Sequence, residues 1–327
     1  MKFKIILYTS IAVLAAAVIG WYAMRPVAPA AQPVMAVIPT VTIPSHSVAA
    51  VLIIPPDDTL NAANAPTVAP AFKPYAFFVH IPPDASVDQP LQVVVALHGI
   101  GGEGKSFSAS LVKEADRHHW LLIAPTITYG DWYNPETVVA EDMEITQRLA
   151  ATINALPSLT GHAVRPRVDV YGFSRGAQVA HRFALFFPEK VDHVAAFSAG
   201  TYTLPFKSLN VGDNGRPDKL SLPYGVGDLG RHLGHAIDPQ QVSQVRFFIG
   251  VGGADNAATD VPRQWDTYLG RTRVERAREF TGAMQRAGMH CTLQVFPGVG
   301  HEVTLAMLNQ AVLFFADVAS SSLSHLN

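Results

Sequence analysis

Residues 168–180 read VDVYGFSRGAQVA, an apolar run that leads directly into a G-x-S-x-G motif. The run 168–172 predicts a buried strand, and the spacing of Ala177, Ala180 and Phe183 predicts an amphipathic helix after the motif. In such a strand–turn–helix, the glycines relieve crowding at the turn and the serine hydroxyl projects above the sheet. Ser174 is therefore the candidate nucleophile, and the alternative is an ordinary helix-capping serine.

The rest of the chain alternates short apolar runs with helical spacing. Further strands are predicted at 75–81, 91–97, 121–124, 193–197, 246–251 and 292–296, with 48–54 as a candidate edge strand. Helical spacing recurs over 274–287, where Gly288 predicts the stop, and over 305–315. This alternation predicts an α/β domain with a mostly parallel sheet and helices on both faces.

A serine hydroxyl needs a general base to attack at neutral pH, and His301 is the candidate. It lies in Gly298-Val299-Gly300-His301-Glu302, just after the last predicted strand. Glycines around a histidine at a strand end suit a loop that carries the ring across a site. The alternative is a solvent-exposed loop histidine.

The acid that orients such a histidine follows the serine and precedes the histidine in the chain. Asp255 meets both conditions, in Gly252-Gly253-Ala254-Asp255-Asn256 after the predicted strand 246–251. Beside the imidazole it would hold one tautomer and stabilise the imidazolium. Asp260 is the competing acid, and Asp255 could instead serve as a turn residue.

The glycine-rich stretch His98-Gly99-Ile100-Gly101-Gly102 follows the predicted strand 91–97. A loop of this kind can aim a backbone N–H at a developing oxyanion. The predicted pair of donors is the amide of Ile100 with that of Arg175, the residue after the nucleophile. A phosphate-binding loop is the alternative, but residues 101–106 lack the full P-loop spacing.

Two regions are candidates for shaping the substrate site. Trp132 and Tyr133 follow Tyr129-Gly130-Asp131 and are predicted to line a cleft, although core packing would also account for them. Residues 200–245 are rich in glycine and proline and lack clear periodicity. This insertion is predicted to be either a cap over the site or a surface excursion.

The composition excludes several classes of protein. Of 327 residues, 49% are hydrophobic and 15% charged, which suits a globular domain with a large core. The net charge of -2 offers no basic surplus for nucleic acid. Cys291 is the sole cysteine, so an intrachain disulfide and a multi-cysteine zinc site are excluded, and it is predicted to pack in the core. No metal or organic cofactor is implied.

The N-terminus has the layout of an export signal. Lys2 and Lys4 precede an apolar run over residues 5–24, which suits a signal peptide or signal anchor at 1–25, with Ala28-Pro29-Ala30 as a late cleavage site. A buried N-terminal helix is the alternative. Residues 26–70 hold nine prolines and read as an extended linker before a catalytic domain at 71–327. Together these features predict a periplasmic or secreted enzyme, with possible membrane anchoring through 5–24.

The chain resembles the α/β-hydrolase superfamily over roughly residues 71–318. The resemblance rests on Leu97-His98-Gly99, the motif at 172–176, Asp255 and Gly300-His301. More closely, the chain is similar to exported esterases and depolymerases related to polyhydroxybutyrate depolymerases and feruloyl esterases, a group that includes oxidised polyvinyl alcohol hydrolase.

This resemblance implies an exported hydrolase that cleaves small-molecule or polymeric carboxylic esters through a Ser-His-Asp triad and an acyl-enzyme. Two alternatives stay open. The same residues could act on a peptide bond or on a β-diketone C–C bond, or the chain could be a non-catalytic binding protein with the same fold.

Overall fold

The computed structural model describes residues 50–54, 75–210 and 217–323. The predicted signal or anchor at 1–25 and nearly all of the predicted linker at 26–70 lie outside the described residues. Within the described part of the chain, no helix has the length and apolar character needed to cross a membrane.

Eight strands form one sheet in the order β1-β2-β4-β3-β5-β6-β9-β10. Strand β2 is antiparallel to both of its neighbours, and all the remaining pairs are parallel. The mostly parallel sheet is therefore confirmed, with a predicted edge strand as β1. The strands are β1 Ala50–Ile54, β2 Tyr75–His80, β3 Gln92–Leu97, β4 Trp120–Thr126, β5 Val168–Phe173, β6 Val191–Phe197, β9 Arg246–Gly252 and β10 His290–Phe296, with a separate hairpin of β7 Ser208–Leu209 and β8 Asp218–Lys219.

Helices cover both faces of the sheet. Alternate side chains of β3 point to opposite faces, so Val93 and Val95 belong to one core and Val94 and Ala96 to the other. Helices α3, α4 and α8 pack into the first core, while α2 and α9 pack into the second. The helices are α1 Gly104–Ser108, α2 Val112–His118, α3 Pro135–Thr160, α4 Arg175–Phe186, α5 Leu229–Leu233, α6 Pro239–Val242, α7 Asp266–Leu269, α8 Arg273–Arg286 and α9 Leu305–Leu323.

Local sequence signals account for the ends of helix α8. The Thr272 side chain accepts from the Glu275 amide while Glu275 reaches back to the Thr272 amide, a capping box that sets the start. Gly288, just past the end, has φ +77°, which confirms the predicted stop. Cys291 is buried on β10, as predicted.

The described part of the 200–245 insertion packs against α4 and α8. Thr203 donates its backbone N–H to His181 on α4 (3.0 Å), and the Tyr202 ring stacks on Phe280 of α8 with ring centroids 4.4 Å apart. Of its described residues, only Gly200 lines the cleft around Ser174. Its side chains at Tyr202, Leu204, Leu220 and Leu229 belong to the hydrophobic core, so the described part of this segment is packed into the domain. A cap over the site stays a prediction.

Candidate active site

Ser174 occupies a strained turn between β5 and α4. Its φ of +54° with ψ of -117° is sparsely populated for a residue with a side chain, a strain of about 1–3 kcal/mol that the surrounding packing must hold. A Cβ added at Gly176 would lie 2.0 Å from the Leu97 carbonyl oxygen, so only glycine lets the helix approach β3 this closely. Ser174 lines a cleft.

His301 joins Ser174 to Asp255. Its Nε2 lies 3.0 Å from Ser174 Oγ, and its Nδ1 lies 2.8 Å from Asp255 Oδ2. When Nδ1–H donates to the carboxylate, Nε2 is left unprotonated and can accept the serine hydroxyl. The structure thus brings together Ser174, His301 and Asp255, the three candidate residues from the sequence analysis.

Asp255 is buried and charged. Burial raises its pKa, but the hydrogen bond from His301 and the positive charge of Arg273 outweigh burial, so the pKa lies below its ordinary value. Asp255 is therefore ionised at neutral pH. The competing acid, Asp260, is exposed and its carboxylate accepts from the Thr259 hydroxyl (3.2 Å).

Two loops at the same edge of the sheet carry Asp255 and His301. Strands β9 and β10 pair in parallel register up to Phe296 opposite Gly252, so both loops leave the sheet side by side. The amide of Gly253 donates to Phe296 (2.7 Å) and that of Ala254 donates to Val299 (2.9 Å). These bonds tie the loop that carries Asp255 to the loop that carries His301.

The predicted oxyanion amides belong to residues that line the same cleft as Ser174. Arg175 is the first residue of α4, where an amide has no acceptor within the helix. His98 ties the start of the loop that carries Ile100 to the chain after β4, because its Nδ1 donates to the Gly99 carbonyl (2.6 Å) and its Nε2 accepts from the Ile127 amide (2.9 Å). Burial lowers the pKa of His98, which keeps the ring neutral in this bridging role.

Beneath the turn lies a buried ionic network that carried no signal in the sequence. The fully buried guanidinium of Arg175 lies 2.6 Å from Asp142 Oδ1, and Arg182 Nη1 lies 2.6 Å from Asp142 Oδ2. Glu141 lies 3.3 Å from Arg175. Arg175, the residue after Ser174, is thus anchored through its side chain to α3.

No motif in the sequence marks Arg273, at the start of α8, as part of the site. Its Nη1 donates to Asp255 Oδ1 (2.9 Å), the carboxylate oxygen that His301 leaves free. Arg273 also lines the cleft.

The cleft itself is open and has a volume of about 420 Å³. Trp132 and Tyr133 lie in its wall with ring centroids 3.8 Å apart, in the position predicted for substrate-lining residues. Tyr133 is tied to the neighbouring loop, because its hydroxyl donates to Thr259 (3.4 Å) and its carbonyl accepts from Gln264 (3.1 Å). The lining residues are Gly99, Ile100, Trp132, Tyr133, Phe173, Ser174, Arg175, Gln178, Gly200, Asp260, Arg273 and His301.

No protein-family model matches this sequence, and no curated protein matches it. Several solved structures are similar to it. A poly(3-hydroxybutyrate) depolymerase from Bordetella parapertussis superposes with a TM-score of 0.58 at 24% identity, over 75% of this chain and 84% of its own. A poly(aspartic acid) hydrolase from Sphingomonas sp. KT-1 superposes with a TM-score of 0.55 at 18% identity, over 75% of this chain and 92% of its own.

A third solved structure, acyl-protein thioesterase 2 from Zea mays, gives a TM-score of 0.50 at 15% identity, over 74% of this chain and 97% of its own. Identities this low establish the architecture alone. The strand order, the six parallel strands and these superpositions together show that the chain has the α/β-hydrolase fold.

Proposed function

We propose that this chain is a serine hydrolase that cleaves carboxylic esters through an acyl-enzyme. The observation that carries the proposal is the continuous hydrogen-bonded series from Ser174 through His301 to the buried Asp255, opening into a cleft. Nucleophile, base and orienting acid in mutual contact are what acyl transfer requires.

In the first half of the reaction, Ser174 Oγ attacks the acyl carbon while His301 Nε2 takes the hydroxyl proton. Negative charge then develops on the carbonyl oxygen, and the amides of Ile100 and Arg175 are its proposed donors. The ester C–O bond breaks as imidazolium returns the proton to the leaving alcohol. The negative charge of Asp255 stabilises the imidazolium during this step.

In the second half, water enters as the nucleophile. His301 takes a proton from the water, the hydroxide attacks the acyl-enzyme, and the same proton returns to Ser174 Oγ as the acid leaves. Both halves use the same protein groups, so one site completes the cycle.

Trp132 and Tyr133 are proposed to contact the substrate. They line the same cleft as Ser174 and carry aromatic rings, and Tyr133 is exposed. The cleft is open, which leaves room for either a small ester or a segment of a polymeric one.

The catalytic domain is further proposed to work outside the cytoplasm. The support is the pair Lys2 and Lys4 before the apolar run 5–24, followed by the proline-rich stretch 26–70. Retention of the run as a membrane anchor is the alternative to its cleavage.

A matched substrate panel tests the bond type. p-Nitrophenyl acetate and p-nitroacetanilide deliver the same acetyl group, one from an ester and the other from an amide. We expect purified protein to release p-nitrophenol from the ester and to leave the anilide and 2,4-pentanedione unchanged. Cleavage of the anilide in preference to the ester would favour a peptidase, and consumption of the diketone a C–C hydrolase.

A further inference from the structure

The Asp255 carboxylate is held from both sides. One oxygen, Oδ2, accepts from His301, and the other, Oδ1, accepts from Arg273 Nη1 at 2.9 Å. Arg273 is only 6% exposed, so solvent screens this ion pair weakly. A carboxylate bonded through both oxygens cannot rotate away from the imidazole without breaking the contact with Arg273.

The same guanidinium also holds the loop beyond Asp255. Arg273 Nη2 donates to the Asp260 carbonyl at 2.9 Å, and Asp260 lines the cleft. Because the guanidinium is planar and rigid, its two bonds fix the spacing between the Asp255 carboxylate and this loop.

Helix stability does not account for an arginine at this position. Arg273 is the first residue of α8, where the positive end of the helix dipole disfavours a cation. The capping box of Thr272 and Glu275 already satisfies the helix start without it. The buried ion pair with Asp255 is the interaction that offsets this unfavourable position of the charge.

We propose that Arg273 is a positioning residue for the Asp255–His301 pair: its guanidinium holds Asp255 Oδ1 and so directs Oδ2 toward His301 Nδ1. The inference rests on the proposed serine-hydrolase function. Within the described residues, the other side chains that interact with Asp255 are those of His301, Ser198 and Tyr202. Of all these groups, Arg273 is the only permanent cation.

The test compares Arg273→Gln and Arg273→Lys with a matched control, Arg263→Gln. Arg263 bonds the carbonyl of Ala258 (2.7 Å) on the same loop and is paired with Asp266, so its loss loosens the loop while Asp255 keeps its partners. Each variant is checked for folding by thermal denaturation. The readouts are the pH profile of kcat/KM for p-nitrophenyl acetate and the rate of inactivation by a fluorophosphonate.

For Arg273→Gln we expect the acid limb of the kcat/KM profile to shift to higher pH by about one unit or more. Loss of a nearby cation favours the protonated forms of the Asp255–His301 pair. kcat should fall by at least about tenfold but by less than the ~10⁴-fold of losing the acid itself, with KM nearly unchanged. Arg273→Lys should restore the position of the acid limb, and Arg263→Gln should keep the wild-type profile.

A double-mutant cycle separates positioning from general destabilisation. In an Asp255→Asn background, Arg273→Gln should cause little further loss of kcat, since the group it positions is gone. If Arg273→Gln proves unstable, Arg273→Ala with added guanidinium ion replaces it, and recovery of kcat is expected.

A higher KM with an unshifted acid limb would overturn the inference, as would equal effects of Arg273→Gln and Arg263→Gln or no recovery with guanidinium. Failure of the proposed function is distinguishable from these outcomes. In that case wild-type protein would neither hydrolyse the ester nor react with the fluorophosphonate.

Discussion

Replacing Ser174 with alanine is expected to lower kcat for p-nitrophenyl acetate by about 10⁶-fold, because the variant lacks the hydroxyl that would attack the acyl carbon and give its proton to His301. His301→Ala should cause a loss of the same order, because His301 Nε2, 3.0 Å from Ser174 Oγ, is the proposed base. The double variant should be no worse than either single one, because the two residues act as a unit. Steady-state kinetics with purified proteins provide the measurement.

Ser106→Ala is the matched control for this series. Ser106 lies on the segment after the glycine-rich loop, is exposed, and donates to Glu103 at 2.8 Å. Its loss should leave kcat unchanged. A Ser174→Ala protein that is folded and retains most of the wild-type kcat would contradict the assignment of Ser174 as nucleophile.

Replacing Asp142 with leucine is expected to lower the free energy of unfolding by about 3–5 kcal/mol, because two buried guanidinium groups lose their shared carboxylate. Asp142 is 1% exposed and is the shared partner of Arg175 and Arg182. Burial lowers the pKa of Arg182 to about 10 even with this carboxylate alongside. Without Asp142, two buried guanidinium groups would retain Glu141 as the nearby counter-charge, 3.3 Å from Arg175.

Urea denaturation of the wild type and two variants measures this effect. The control is Glu136→Leu, which makes the same kind of change at an exposed position in the first turn of α3. It should cost at most about 1 kcal/mol, through the loss of a favourable charge at the helix start. Leucine is a better helix former than aspartate, so helix propensity by itself would make Asp142→Leu more stable than the wild type. A lower free energy of unfolding would therefore report the loss of the ion pairs. Equal midpoints for the two variants would contradict the network's role.

The sequence predicts those parts of the fold whose determinants lie close together in the chain. The strand into Ser174, the turn and the helix out of it are contiguous, so their signals lie within about a dozen residues of each other. Buried parallel strands are almost continuously apolar and were recognised for that reason. Gly288 marked the end of α8 because only a positive φ allows the chain to turn there.

Two features of the sequence point to Asp255 and His301: the glycine-rich loop around each residue, and their order along the chain after Ser174. Each follows a predicted strand on a glycine-rich loop, and parallel strands bring their carboxyl ends to one edge of the sheet. The choice of Asp255 over Asp260 agrees with the structure, in which Asp255 is the acid in contact with His301. The distance between the partners, 46 residues, carries no signal of its own.

The ionic contacts around the site could not be predicted from sequence. Arg273 begins an amphipathic helix and reads as a surface charge, yet it is buried against a carboxylate 18 residues away. Asp142 and Arg182 are 40 residues apart, on two helices whose relative placement depends on the whole sheet. Long-range pairing of this kind follows from tertiary packing, which single-residue patterns do not encode.

Reaction with a fluorophosphonate probe tests the central claim most directly. The protein is treated with excess probe, its intact mass is measured, and the labelled peptide is sequenced by tandem mass spectrometry. The account predicts one probe per chain, attached to Ser174, with loss of esterase activity in proportion to labelling and little labelling of His301→Ala. A label on another residue, or esterase activity that persists in protein fully labelled at Ser174, would contradict it.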